Sequence, residues 1–195
     1  MRVIMLGPPG AGKGTQGERI ASRYAVPHIS SGEIFRDEVA RQTPLGVQLR
    51  GYLDAGDLVP DDLVLSMIMD RVIKASENDG GYVLDGFPRS LGQAEEAYRV
   101  ATQVSGVELQ SVVHLIVPRK ELLRRMRARA AQEGRTDDNE ATVEHRLDVY
   151  DSETEPMLGF YAGRGLVVDV DGYQPVEAVF DDTVKAVDAL RPGLR

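Results

Sequence analysis

The chain has 195 residues, which suits one domain or one core with small inserts, and its 42% hydrophobic and 28% charged residues are ordinary for a globular protein. It contains no cysteine, which excludes disulfides and cysteine-ligated zinc, and its net charge of −8 argues against a general nucleic-acid binder. No apolar run is long enough to span a bilayer, and the N-terminus has no signal-peptide layout, so we expect a cytoplasmic protein.

The chain begins with a predicted strand, a glycine-rich loop and a helix. The apolar run from Val3 to Leu6 precedes the motif GPPGAGKGTQ, whose two glycines, five residues apart with a lysine after the second, fit the phosphate-loop pattern. Glycines let backbone N–H groups point at one anion, the helix N-terminus adds its dipole, and Lys13 adds a charge for the outer phosphates. A simple glycine-rich turn is the alternative, and the readable strand and helix on either side argue against it.

The position after the loop lysine departs from the general pattern. Gly14 stands where a Ser or Thr ordinarily meets Mg²⁺, and Thr15 follows one place later. A loop that ends in this way points away from switch GTPases and towards small kinases.

A small helical insert is predicted after the second strand, which covers residues 27–30. Helices are expected over about 33–41 and 47–54, with breaks at 43–46 and 55–62. Ser30 and Glu33 fit a capping box, so helix capping is the alternative to ligand binding for the two serines that begin this segment.

Charged residues lie within this insert and directly after it. Arg36 lies one turn into its helix, where it can swing back towards a ligand at the helix start; a solvated surface arginine is the alternative. After the insert, apolar residues recur at helical spacing from Leu63, and we expect Asp61 or Asp62 to be the N-cap.

A third strand, at residues 82–85, ends in a carboxylate that precedes the string GFPR. An aspartate at the end of a strand beside a phosphate loop can hold Mg²⁺, usually through water, whereas a turn aspartate is the alternative reading of Asp85. Gly86 lets a ligand approach the backbone, and Arg89 can grip a phosphate. Gln93 lies four residues later on the same helical face, and its amide can read a nucleobase edge.

The second half of the chain continues the alternation of strands and helices. A strand is expected over 111–117, a helix over about 119–131, a helix from about 140, a strand over 166–170 and a final helix. This alternation predicts a parallel sheet covered by helices on both faces, with ligands outside the carboxyl ends of the strands.

Positive charge is concentrated in one segment of this half. Residues 119–135 carry seven lysines or arginines against two glutamates, a net charge of +5, which can meet the needs of a polyphosphate substrate. Arg125 and Arg129 share a helical face, whereas a solvated basic face is the alternative for the other arginines. We expect His114, in the middle of its strand, to be a core or edge histidine rather than a catalyst.

Taken together, the motifs resemble those of the adenylate kinase family in its short-lid form. GPPGAGKGTQ, HISSGEIFR, GDLVPD, DGFPRSLGQ, RMRAR, GRTDDNEATVEHRL and VDVDG follow one another along nearly the whole chain. The resemblance implies an α/β fold of the P-loop NTPase kind, a three-layer sandwich with a five-stranded parallel sheet. It implies one kinase domain over 1–195, with an NMP-binding insert at 30–59 and a short lid loop at 128–138.

The resemblance also implies a function. It implies a phosphotransferase that reversibly converts MgATP and AMP to two ADP and so maintains adenine nucleotide levels. Its implied cofactor is Mg²⁺ with ATP, without zinc. The implied enzyme is a cytoplasmic monomer whose partners are nucleotides, with no nucleic acid or membrane among them.

The same resemblance assigns site residues. The residues expected at ATP are Gly10, Ala11, Gly12, Lys13, Gly14, Thr15, Arg129 and Gln174. Those expected at AMP are Ser31, Arg36, Asp57, Leu58, Val59, Gly86, Phe87, Pro88, Arg89, Gln93, Arg135 and Arg146. The charges expected at the transferring phosphoryl group are Lys13, Arg89, Arg129, Arg135 and Arg146, with Arg125 near the phosphates. Thr15 and Asp85 are expected at Mg²⁺, with water between.

One departure from the family leaves the acceptor open. Ser31 stands where the family usually has a threonine, whose extra methyl helps to define the adenine pocket, and one methyl is worth only about 1 kcal/mol of discrimination. The close alternative is therefore a UMP/CMP kinase or a broad NMP kinase. A nucleotide-binding switch that hydrolyses NTP slowly is the alternative from another class, but it needs neither DGFPR nor several lid arginines.

Overall fold

The computed structural model describes residues 1–133 and 140–189, and within them five parallel strands form one sheet. The strands are β1 (Arg2–Leu6), β2 (His28–Ser30), β3 (Tyr82–Asp85), β4 (Ser111–Ile116) and β5 (Val167–Asp171). Their spatial order is β2-β3-β1-β4-β5, so the strand that precedes the glycine-rich loop is central. The predicted parallel sheet is confirmed, with strand ends within two residues of the predicted ones.

Helices connect the strands, as parallel pairing requires. They are α1 (Lys13–Tyr24), α2 (Ser31–Ala40), α3 (Pro44–Ala55), α4 (Asp61–Asp79), α5 (Leu91–Gln103), α6 (Arg119–Glu133), α7 (Glu140–Val149), α8 (Met157–Ala162) and α9 (Val176–Ala189). A π-helical turn (Tyr150–Thr154) continues α7. Each of these helices in the described ranges is too short or too polar to cross a membrane.

Two apolar cores lie on opposite faces of the sheet because side chains alternate along each strand. In β1, Ile4 and Leu6 belong to the core that α4, α5 and α8 cover. Val3 and Met5 belong to the core on the other face, under α1, α6, α7 and α9. The chain is therefore a three-layer α/β sandwich, and the predicted P-loop NTPase fold class is confirmed.

The strand register gathers the candidate ligand groups at one edge of the sheet. Met5 pairs with Asp85, and Asp85 pairs with Ser30 across β3 and β2. The chain leaves β1 after Leu6 and enters the glycine-rich loop at the same edge. The carboxyl ends of the three strands thus bring the loop, the carboxylate and the start of α2 together.

The start of α4 differs from the prediction. The N-cap is Pro60, and no side chain caps the helix, so the expected capping by Asp61 or Asp62 is wrong. Proline at this point fixes the entry of the chain, which places both aspartates inside the first turn. Asp61 instead accepts hydrogen bonds from α5, from Gln93 Nε2 at 2.6 Å and from Ser90 Oγ at 3.4 Å.

The segments predicted to be the insert and the lid lie in different parts of the chain. Residues 30–59 include α2 and α3, which pack together between β2 and α4. Helix α6 extends to Glu133, so the first part of the 128–138 segment is helical. The rest of that segment, with Arg135, lies outside the described residues.

Candidate active site

A cavity of about 860 Å³ opens at the carboxyl ends of the central strands. Its walls come from the glycine-rich loop, the start of α2, the end of β3, helix α6 and the residues that enter α9. Open parallel sheets bind ligands at this edge, and a cavity of this size can hold nucleotides. The predicted site residues that line it are residues 10–15, Arg36, Gly86, Arg89, Arg125, Arg129, Arg146 and Gln174.

The glycine-rich loop presents an uncapped helix end to this cavity. Gly12 is the N-cap of α1 in the left-handed conformation, with φ of 98°, and no side chain caps the helix. Gly10 also has a positive φ, and a Cβ there would lie 3.0 Å from Met126 Cγ and 3.1 Å from the Leu122 carbonyl oxygen. Backbone N–H groups left without a cap bind anions well, so the loop is suited to phosphate.

Lys13 folds back over this loop. Its Nζ donates to the carbonyl oxygens of Gly7 at 2.8 Å and Pro8 at 3.0 Å. Burial lowers the pKa of Lys13 to about 8; Asp85 opposes this shift, and the charges of Arg89, Arg146 and Arg129 add to it. The ammonium is therefore poorly solvated and lies near three arginine charges, and an anionic ligand would stabilise it.

Arg89 lies in the turn after β3, and hydrogen bonds fix its position. Its Nε donates to the Gly86 carbonyl oxygen at 2.7 Å, and its backbone N–H donates to Gln93 Oε1 at 2.8 Å. Its own carbonyl oxygen accepts from the Thr154 hydroxyl at 2.7 Å. The guanidinium is thus held beside the cavity before any ligand arrives, which reduces the entropy cost of binding.

A second arginine, Arg125, connects three segments that line the cavity: helix α6, the glycine-rich loop and the residues after β5. Its guanidinium donates to Glu121 Oε1 at 2.8 Å and to the carbonyl oxygens of Gly172 at 3.0 Å and Ala11 at 3.4 Å. Hydrogen bonds from Arg124 and Arg125 lower the pKa of Glu121 to about 2, so this carboxylate stays ionised. The sequence prediction included Arg125 but missed Glu121, which is one of two acidic residues in a basic helix.

Asp85 is a carboxylate that lines the cavity together with the loop. It is 9% exposed, and within the described residues its Oδ1 is buried without a hydrogen-bond partner. Its Oδ2 lies 3.7 Å from where a Cβ on Gly14 would stand, so the glycine after Lys13 leaves space beside the carboxylate. A carboxylate with one buried, unpartnered oxygen and the other beside a phosphate loop fits a divalent cation.

The donor set around Asp85 favours Mg²⁺. Within the described ranges, no group of three or more His, Cys, Asp or Glu could hold a metal ion. A cation here would bind one carboxylate and complete its shell with water and phosphate oxygens, as Mg²⁺ does. Thr15 is exposed at the same wall of the cavity.

The two serines that begin α2 have different roles. Ser30 Oγ accepts from the Glu33 backbone N–H at 3.4 Å, so the capping interpretation holds for Ser30. Ser31 is fully buried, and its hydroxyl donates to the Gly86 carbonyl oxygen at 2.6 Å. A Cβ on Gly86 would lie 2.6 Å from Ser31 Oγ, so this close approach requires glycine. Ser31 therefore joins α2 to the turn that carries Arg89.

Gln93 occupies a different place from the one its predicted base contact suggests. It is 3% exposed, it accepts from the Arg89 N–H, and its Nε2 donates to Asp61 Oδ1 at 2.6 Å. Both ends of the amide are therefore engaged within the protein, and Gln93 does not line the large cavity. A direct contact with a nucleobase stays a prediction.

Other predicted acceptor residues, from the GDLVP segment and the DGFPR turn, lie at or near a smaller cavity. Leu58 and Pro88 line this space of about 70 Å³ together with Arg89 and Arg146. Val59 and Phe87 are buried in the core. Asp57 is exposed, and its Oδ1 lies 2.6 Å from His145 Nε2 on α7, which links the insert to the helix that carries Arg146.

His114 lies away from the large cavity. Its Nδ1 is 2.9 Å from Asp169 Oδ1 on the neighbouring strand, and its Nε2 is 3.4 Å from the Tyr150 hydroxyl. These contacts are those of a structural histidine inside the sheet, because β4 lies between β1 and β5. Among the residues around the site, Thr154 was missed, because nothing in the sequence indicated the π-helical turn that presents it.

Comparison with known proteins gives one family. The model of the adenylate kinase family matches residues 5–166. The chain is 45% identical over 193 residues to an adenylate kinase of Thermobifida fusca, with 98% of each chain covered. It is 45% identical to an adenylate kinase of Kocuria rhizophila, covering 96% of this chain and 98% of the relative, and 42% identical to one of Leptospira biflexa, covering 95% and 99%. The chain therefore belongs to the adenylate kinase family.

Proposed function

We propose that the chain catalyses the reversible transfer of the terminal phosphoryl group of MgATP to AMP, which gives two molecules of ADP. The observation that carries this proposal is the convergence of Lys13, Arg89, Arg129 and Arg146 at one cavity, next to an uncapped helix N-terminus. Phosphoryl transfer asks a protein for alignment and for positive charge around the transferred group rather than for covalent chemistry. The family and its relatives support the same reaction.

The two nucleotides would approach from opposite sides. The loop from Gly10 to Thr15 would hold the phosphates of ATP, with Arg129 and Gln174 on the same side. Arg36 and Arg89 would hold the AMP phosphate below α2, with the base towards Ser31, Gln93 and residues 57–59. AMP brings its own anionic oxygen as the nucleophile, so no side chain needs to act as a general base.

Mg²⁺, when bound with ATP, would neutralise charge on the phosphate oxygens. Asp85 would hold it, with Thr15 and water completing the contact. Lys13 and the arginines would supply the remaining positive charge and orient the phosphoryl group. We also propose that Arg135 closes over that group from the lid at 128–138.

Exclusion of water completes the mechanism, because water competes with AMP for the phosphoryl group. We propose that the insert at 30–59 and the lid fold over the cavity when both nucleotides are present. The Asp57–His145 contact and the packing of Gly56 against the Arg146 side chain would transmit closure of the insert to α7. Since such hinged parts need free surface, we propose a monomer, and the composition of the chain suits the cytoplasm.

The direct test of the proposed reaction is nucleotide stoichiometry. With MgATP and AMP, two ADP should form for each ATP consumed, and ATP should be stable when AMP is omitted. Substantial ATP hydrolysis that AMP does not affect would instead support a nucleotide-binding switch. Chromatographic quantification of all three nucleotides over time separates the two outcomes.

The lowered pKa of Lys13 predicts an alkaline limit to activity. Lys13 is charged below about pH 8 and neutral above it in the ligand-free protein, so kcat/KM for ATP should fall as pH rises through about 8. An ordinary lysine, with a pKa near 10.5, would place this fall more than two pH units higher. In a Lys13→Arg variant that keeps measurable activity, the fall near pH 8 should disappear; its persistence would assign it to another group.

Replacing Asp85 by asparagine should weaken the use of Mg²⁺. The amide keeps the size of the side chain but loses its charge, so the Mg²⁺ concentration for half-maximal rate should rise about tenfold or more. Asp70→Asn is the matched control, because Asp70 is exposed on α4 and pairs with Lys74 away from the cavity. An unchanged Mg²⁺ dependence in Asp85→Asn would remove Asp85 from the metal site.

A further inference from the structure

Thr154 contacts Arg89 from a distant part of the chain. Its hydroxyl donates to the Arg89 carbonyl oxygen at 2.7 Å, across 65 positions of sequence, and the residue is 6% exposed. Both residues line the smaller cavity, next to Arg146. A buried threonine whose hydroxyl donates to this carbonyl oxygen acts on the backbone of Arg89, whereas the guanidinium is held separately through its Nε, which donates to the Gly86 carbonyl oxygen.

The backbone of Arg89 is held from two sides. On one side Gln93 accepts from the Arg89 N–H and is itself anchored to Asp61. On the other side Thr154 donates to the Arg89 carbonyl oxygen. With both peptide groups fixed, the side chain starts from a defined point and direction. A bidentate phosphate contact needs this precision, because the planar guanidinium has a narrow range of productive orientations.

The π-helical turn explains why Thr154 reaches this place. The Glu155 N–H donates to the Tyr150 carbonyl oxygen at 2.9 Å, which closes the wider turn and changes the direction of the side chains that follow α7. Such turns are rare and occur often at functional sites. Here the turn is also anchored to the sheet, since the Tyr150 hydroxyl lies 3.4 Å from His114 Nε2.

We propose that Thr154 is a positioning residue for the acceptor phosphate. Its hydroxyl fixes the Arg89 backbone so that the guanidinium is already aimed at the phosphate of the nucleoside monophosphate. This inference rests on the proposed function, in which Arg89 binds that phosphate. Its consequence is specific: loss of the hydroxyl weakens the acceptor and leaves the donor ATP bound as before.

The test compares three replacements with a matched control. Thr154→Val keeps the shape and removes the hydroxyl, Thr154→Ala removes it without adding an apolar methyl, and Thr154→Ser restores it. Thr183→Val is the control, because Thr183 is also buried and donates to a backbone carbonyl oxygen, that of Val179, at 2.7 Å on α9. Thermal unfolding of all four variants shows how much each replacement affects the fold.

Steady-state kinetics then give the expected pattern. Thr154→Val and Thr154→Ala should raise KM for AMP about tenfold, with KM for ATP changed less than about twofold, and Thr154→Ser should return KM for AMP close to the wild-type value. Thr183→Val should leave both KM values unchanged even where it lowers Tm. Equal rises in both KM values, no rise for AMP, or a serine variant that fails to restore it would overturn the inference.

A double-mutant cycle on AMP binding shows whether Thr154 acts through Arg89. AMP affinity is measured calorimetrically for wild type, Thr154→Val, Arg89→Lys and the double variant. Thr154→Val should cost much less in the Arg89→Lys background, because lysine has no planar fork to orient. Fully additive losses of binding free energy would show that Thr154 does not act through Arg89.

The failure of the inference can be distinguished from the failure of the proposed function. Wild-type protein that consumes ATP without AMP would refute the proposed function itself. Wild-type protein that depends on AMP, together with an unaffected Thr154→Val variant, would refute only the inference.

Discussion

Replacing Arg146 by methionine is expected to lower kcat by on the order of 10³, by analogy with arginines that stabilise transferring phosphoryl groups. Arg146 extends from α7 into both cavities, and its charge contributes to lowering the pKa of Lys13. Gly56 permits its approach, since a Cβ there would lie 2.7 Å from Arg146 Cγ. Methionine keeps most of the stem and removes the charge that would act on the transition state.

The measurement is the single-turnover or steady-state rate at saturating ATP and AMP. Arg146→Lys should retain part of the activity, because it keeps a charge without the fork. Arg71→Met is the control, since Arg71 is exposed on α4 and donates to the Met67 carbonyl oxygen away from the site. A loss of tenfold or less in Arg146→Met would remove this arginine from the mechanism.

Replacing Lys13 by methionine is expected to lower kcat/KM for ATP by on the order of 10³, because it removes the ammonium that would hold the outer phosphates. The free energy of unfolding should not fall with the activity. The folded protein disfavours the ammonium, whose pKa is lowered to about 8, so below that pH the charge costs folding free energy. Tm at pH 7 is therefore expected not to fall in the variant.

This opposition between activity and stability separates a functional lysine from a structural one. Lys74→Met is the control, because Lys74 is exposed and pairs with Asp70 on α4, and it should leave kcat/KM unchanged. Differential scanning calorimetry and initial rates on the same preparations give both quantities. A Lys13→Met variant with activity within tenfold of wild type, or with a clearly lower Tm, would contradict this account of the loop.

The parts of the fold that were predicted correctly depend on local patterns. The glycine-rich loop has a distinctive local sequence. Apolar strands alternate with helices along the whole chain, and this alternation favours a parallel sheet with helices on both faces. The start of α4 was predicted wrongly because two aspartates follow a proline. Local preference favours Asp as an N-cap, but the chain places Pro60 there and uses Asp61 to hold Gln93.

The candidate site likewise has parts that local sequence predicts and parts that it does not. The phosphate loop and the DGFPR turn have distinctive sequences because neighbouring residues must form a single backbone shape around a ligand. The convergence of Arg89, Arg129 and Arg146 depends on three separate segments, the turn after β3 and the helices α6 and α7, and only the family resemblance indicated it. The hydrogen bonds that hold Arg89, from Gln93 and Thr154, depend on tertiary packing and on a π-helical turn. Neither has a sequence pattern that predicts it.

The most direct test of the central claim is the initial rate of ADP formation from MgATP with AMP, dAMP, CMP, UMP and GMP supplied in turn. We predict a strong preference for AMP, with Ser31 serving in place of the usual threonine. A preference for CMP or UMP would keep the fold and the phosphoryl-transfer site but contradict the assignment of AMP as the acceptor. A rate that is the same with every acceptor, and without one, would contradict phosphotransfer between nucleotides altogether.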